Sequence, residues 1–114
     1  MTMIEEDLVR ATVRGFSRAI ILWLISQESR SGYAVMKEMK RLTGRNYTSG
    51  VIYPLFYRLE EEGFITGRWV EKGRRRVKYY SITEDGIRLL DRLREAFEMP
   101  VREVLEDLLG NTKI

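Results

Sequence analysis

The sequence predicts a mainly α (α+β) chain of three helices, a two-stranded hairpin and one long C-terminal helix, in that order. Three observations carry this. Apolar residues recur at helical spacing in three segments before residue 63, two alternating runs follow between Ile65 and Ile82, and a coiled-coil-like stripe runs from Leu90 to Leu108. A length of 114 residues holds one compact core with an appended helix and leaves no room for a second. The division read from this order is residues 1–83 for helices and hairpin and 84–114 for the appended helix.

The first helix is expected from about Ile4 to Gln27. Phe16, Ile20 and Leu24 stand four apart, and Ile21, Leu22, Trp23 and Ile25 make its second half apolar on nearly every side. One small core cannot surround such a helix, so part of its surface is expected to pack against a second subunit. Gly15, between the two halves, is a candidate bend.

Ser31 stands where an N-cap would precede a second helix. Val35, Met36, Met39 and Leu42 form its apolar face, Lys37, Lys40 and Arg41 its opposite face, and Gly44 ends it. A third helix starts at Thr48 or Ser49, buries Val51, Ile52, Leu55, Phe56 and Leu59, kinks at Pro54 and is capped by Gly63. At 100° per residue, Ser49, Gly50, Tyr53 and Tyr57 lie opposite that apolar face, with Arg58 on the flank.

In the hairpin, Ile65, Gly67 and Trp69 alternate with Thr66, Arg68 and Val70. A turn near Lys72-Gly73-Arg74 leads into Val77, Tyr79 and Ser81, alternating with Lys78, Tyr80 and Ile82. Thr83 then offers an N-cap with Glu84 and Asp85 in the first turn, where their charge suits the helix dipole. The last helix is expected to reach Leu109, with Pro100 as a bend. Its stripe of Leu90, Leu93, Phe97, Val101, Val104 and Leu108 needs a partner.

Composition excludes several kinds of chemistry. With no Cys and no His there is no disulfide, no ordinary zinc site and no Ser–His or Cys–His nucleophile, so an enzyme is not expected, nor a metal or cofactor. The run Glu60-Glu61-Glu62 reads as a solvated helix end, because consecutive residues point in different directions. Met36 and Met39 read as core filler. The longest apolar run, Ala19 to Ile25, falls far short of the roughly 20 residues that span a bilayer. Glu5, Glu6 and Asp7 stand where a secretory signal would be basic, so the expected location is the cytoplasm.

The formal net charge is only +3, but its distribution is uneven. Between Thr66 and Tyr80 six basic residues face the single acid Glu71, and the rest of the chain is near neutral. Three helices followed by a basic hairpin are the order of a winged helix-turn-helix, whose third helix enters the DNA major groove beside a hairpin wing. Lys37, Lys40, Arg41, Arg74, Arg75, Arg76 and Lys78 are then candidates for phosphate contacts. Thr48, Ser49, Tyr53 and Arg58 are candidates for base readout. Tyr57 is divided between DNA contact and packing.

Four blocks carry a family resemblance. They are Ser31-Gly32-Tyr33-Ala34-Val35, Gly50-Val51-Ile52-Tyr53-Pro54-Leu55, Arg58-Leu59-Glu60-Glu61-Glu62-Gly63, and Lys78-Tyr79-Tyr80-Ser81-Ile82-Thr83-Glu84-Asp85-Gly86. In this order and spacing the chain resembles PadR-type transcriptional regulators, and its short tail resembles the subgroup with a single C-terminal helix. One departure is Arg74-Arg75-Arg76-Val77, where relatives commonly carry Gly, Pro and Arg.

The resemblance implies a winged-helix homodimer that binds palindromic operators in double-stranded DNA, usually as a repressor. By position, Leu8, Phe16, Leu90, Leu93, Phe97, Val101, Val104 and Leu108 would form the dimer seam. It also implies a small planar apolar effector held between the first and last helices, for which Trp23 and Phe97 are the aromatic candidates. The alternative is a winged-helix module for protein–protein contact without DNA binding, which salt-independent association would reveal.

Overall fold

The computed structural model describes residues 2–99 and 101–110. The elements are α1 (Met3–Gln27), β1 (Arg30–Ser31), α2 (Gly32–Thr43), α3 (Ser49–Glu61), β2 (Ile65–Lys72), β3 (Arg75–Ile82), α4 (Glu84–Glu98) and α5 (Val101–Leu108). The order of three helices, a hairpin and a C-terminal helical segment is the one expected. Two parts of the architecture differ.

The hairpin belongs to a three-stranded antiparallel sheet of order β1-β3-β2 rather than standing as two strands. In β1, Arg30 lies opposite Tyr80 and Ser31 opposite Tyr79. Two residues are too short to show a period of two, so the strand left no pattern to read. Ser31 also caps α2, its Oγ accepting from the Ala34 amide at 3.2 Å. Arg30 ties the strand to the end of α1, donating from Nε to the Leu24 carbonyl at 2.9 Å.

The C-terminal stripe forms two helices instead of one. Met99 ends α4 with an extended backbone (φ −155°, ψ 132°). The residue before a proline is pushed out of the helical region by the proline ring, and Pro100 follows in sequence. The stripe therefore resumes in a second helix rather than bending within one.

The core gathers Ile21, Leu22, Leu24 and Ile25 from α1, Val35 and Met39 from α2, and Ile52, Phe56 and Leu59 from α3. Ile65 and Tyr80 close it from the sheet and Leu90 from α4. Helix α1 runs without a break through Gly15, and α3 continues through Pro54. Val51 and Leu42, expected on buried faces, are partly exposed near helix ends. The cap of α3 is Glu62 rather than Gly63, which follows with a left-handed backbone (φ 84°).

Helix α4 docks through its first turn. The Thr83 hydroxyl accepts from the Gly86 amide at 3.0 Å and donates to the Gly63 carbonyl at 2.6 Å. A Cβ on Gly86 would stand 2.1 Å from the Phe64 carbonyl oxygen, so only glycine lets the helix lie this close to β2. Leu90, assigned by its spacing to the dimer seam, is 7% exposed and belongs to the core of the single chain.

Candidate nucleic-acid interface

Helix α3 opens at Thr48, whose backbone is extended (φ −75°, ψ 163°) and whose carbonyl accepts from the Val51 and Ile52 amides. Its hydroxyl makes no capping bond, so with exposed Ser49 it stays free to face a ligand. Tyr57 is 68% exposed and lies away from the buried Ile52, Phe56 and Leu59. Tyr53 is divided in role. Its ring packs across the start of α2, where a Cβ on Gly32 would meet the hydroxyl at 2.6 Å, yet much of it is solvent-facing.

The wing turns tightly. Lys72 pairs with Arg75, leaving Gly73 and Arg74 as a two-residue loop, with φ of +61° at Gly73. No non-glycine residue has a positive φ among the described residues, so the loop has the sign pattern of a type II′ turn. That geometry puts exposed Arg74, Arg75 and Arg76 at and just beyond the tip.

Aromatic rings hold the cations in place. Arg76 lies 5.2 Å from the centre of the Trp69 ring, and Lys72 is 5.2 Å from that of Tyr79. Trp69, Arg76 and Lys78 share the face of the hairpin that looks toward α3. With Tyr33, Tyr53 and Tyr80 they line a cleft of about 370 Å3 between wing and helices.

Lys78 differs from its neighbours. Its Nζ donates to Glu60 Oε1 at 3.1 Å, while the Gly67 amide donates to Glu60 Oε2 at 3.2 Å. A Cβ on Gly67 would lie 2.2 Å from Lys78 Cε, so the glycine makes room for the lysine stem. Glu60, expected to be a solvated helix end, is thus a half-buried clasp between α3 and the wing. Phe56 and Tyr80 stack beside it with ring centres 4.5 Å apart. Burial first, then the negative charges of Glu60 and Tyr53, push the Tyr80 hydroxyl up to about 12. No spacing rule in the sequence marks Glu60 apart from Glu61.

On the second helix, Lys37 sits 5.7 Å from the Tyr33 ring centre. Lys40 donates to Asn46 Oδ1 at 2.9 Å. Arg41 donates to Glu38 at 2.6 Å, a hydrogen bond that lowers the pKa of Glu38 and raises that of Arg41. Arg58 pairs with Glu62 at 3.7 Å, and both are well exposed.

A second, apolar feature lies on the far side of α1. Phe16 meets Phe97 with ring centres 5.5 Å apart, and with Ala19, Ile20, Trp23 and Leu105 they line a notch of about 340 Å3. Leu8, Val104 and Leu108 are largely exposed, and Leu93, Phe97 and Val101 are half-buried.

The PadR-like family of transcriptional regulators matches residues 21–92, more than half of the chain. The chain belongs to that family. The matched span runs from the second half of α1 through most of α4 and contains the whole of α3 and the wing.

Among curated relatives, the transcriptional regulator YqjI of Escherichia coli is 38% identical over 87 residues, which is 75% of this chain and 41% of YqjI. A PadR-like regulator of Bacillus cereus has a similar structure, with a TM-score of 0.77 and 29% identity over 88% of this chain and 97% of that one. Bacillus subtilis PadR, whose structure contains operator DNA, is similar at a TM-score of 0.61 and 30% identity. That match covers 67% of this chain and 45% of the Bacillus subtilis protein. The chain therefore spans about two fifths of YqjI and less than half of Bacillus subtilis PadR.

Proposed function

We propose that this PadR-family chain is a sequence-specific DNA-binding repressor that acts on a palindromic operator as a homodimer. It works without metal or cofactor, in the cytoplasm, and a small planar apolar compound releases it. Residues 1–83 read the DNA and residues 84–114, with the start of α1, join the subunits. One observation supports the DNA reading above the others. The free face of α3, with Thr48, Ser49, Tyr53 and Tyr57, stands beside a wing whose Arg74 and Arg75 have no acidic partner among the described residues.

The division of labour follows from the chemistry. Arg74, Arg75 and Arg76, with Lys37, Lys40 and Arg41, supply phosphate contacts, which give affinity without reading sequence. Thr48, Ser49 and Tyr53 reach base edges from the first turns of α3, and Arg58 reaches them from its flank. Replacing Arg74, Arg75 and Arg76 with Ala is expected to weaken binding to every duplex and to lower the slope of log affinity against log salt by up to about 3 per protomer. Fluorescence anisotropy across a salt series measures it, and an unchanged slope rules out the wing as a phosphate-binding element. Binding of unrelated proteins with no affinity for duplex at low salt would favour the protein-contact module instead.

Release by an effector is supported by the aromatic notch between α1 and the C-terminal helices. A compound seated there would bear on both Trp23 and Phe97, and so on the helices proposed to set the spacing of the two reading heads. Titration with planar apolar compounds should quench the indole emission of Trp23, measured with Trp69 replaced by Phe. A flat response sinks the effector without touching the DNA reading.

A further inference from the structure

Cations outside the wing also collect beside α3. Arg10 and Arg14 stand one turn apart on α1 and line a cleft of about 240 Å3 with Arg45, Asn46 and Val51. Neither Arg10 nor Arg14 has an ion-pair partner among the described residues. Arg45 donates to Glu6 at 3.4 Å, and Lys40 reaches the same loop through Asn46. Glu6 and Asp7, one turn before Arg10, are the neighbouring acids, so four cations meet two carboxylates.

The cleft is held by its own framework. Ser17 donates to the Val13 carbonyl at 3.3 Å and accepts from the Tyr47 hydroxyl at 2.9 Å in a buried contact. This fastens the loop carrying Arg45 and Asn46 onto α1. The position relative to α3 is the informative part. Val51, in its first turn, lines this cleft, whereas Tyr53 lines the cleft beside the wing. Residues two apart on a helix point about 200° apart, so the start of α3 lies between two cationic clefts.

We propose that Arg10, Arg14 and Arg45 bind backbone phosphates of duplex DNA on the flank of α3 away from the wing. A helix in the major groove lies between two phosphate backbones, and the wing can reach only one of them. The arginine cleft is placed for the other. This inference rests on the DNA-binding reading and adds two cations, Arg10 and Arg14, that precede the family-matched residues 21–92, to Arg45 within them.

The test is a double variant, Arg10→Gln with Arg14→Gln, bound to a mixed-sequence duplex three helical turns long over a salt series. Removing one cation from a phosphate should reduce the salt slope by about 0.9, so a drop near 2 per protomer is expected, with Arg10→Lys and Arg14→Lys retaining the slope. A second variant works in the opposite direction. Glu6→Gln removes a competing carboxylate and should tighten binding, while unchanged or weaker binding counts against the proposal. If the unaltered protein binds no duplex, the DNA reading itself fails. If it binds, and the Gln variant keeps the full slope while the wing variant does not, this inference alone is overturned.

Discussion

Glu60 accepts hydrogen bonds from two strands at once, from Lys78 of β3 and from the Gly67 amide of β2, while sitting on α3. It therefore sets the angle between the proposed recognition helix and its wing. Both side chains are about a third exposed, which keeps the coupling modest. In a double-mutant cycle of Glu60→Gln and Lys78→Met, thermal melts should give a coupling of about 1 kcal/mol, and zero coupling would refute the clasp. Lys78→Met should also leave the salt slope of DNA binding unchanged, because Glu60 already occupies that charge. Tyr80 beside it carries a pH signature. Its hydroxyl titrates near 10 when unfolded and at about 12 in the fold, so folding favours the protonated form. The stabilisation is whole below pH 10 and is lost as pH rises toward 12. Tyr80→Phe should flatten that decline in alkaline denaturation curves.

Elements differ in how plainly their residues announced them. Helices α2 and α4 were legible at their starts, because Ser31 and Thr83 are oxygen caps whose bonds to Ala34 and Gly86 are local. The wing was legible too, since alternation and a glycine turn are short-range signals. What escaped was decided by distant partners. Strand β1 exists only because β3 lies beside it, and the role of Glu60 appears only once Lys78 is folded against it. Leu90 kept the spacing of a seam but was drawn into the core by the docking of α4. Pro100 was visible in the sequence as a bend, yet its effect on Met99 divides the stripe into two helices. In the candidate site, residue types and faces were readable, whereas the arginine cleft was not. Arg10 and Arg45 are separated by most of α1 and α2, and no one-dimensional charge count joins them.

Across the whole molecule, apolar surface is left open at both ends of the chain's contribution to the proposed seam. Leu8 is 68% exposed and Leu108 is 76% exposed, with Met3, Ile4, Met99 and Leu109 open as well. Exposed large apolar side chains in this number on a small chain mark an interaction site. Because these residues lie outside the core, charging them should separate the subunits without unfolding the chain. Leu8→Glu with Leu108→Glu is expected to halve the mass seen by light scattering while leaving far-ultraviolet circular dichroism intact. It should also abolish the dependence of Tm on protein concentration that a dimer shows. Operator affinity should fall much further than removing any single phosphate-binding cation would cause, since one reading head then binds without the effective concentration its tethered twin provides. A variant that stays dimeric would move the seam elsewhere, and a monomeric variant with full operator affinity would remove the dimer from the mechanism.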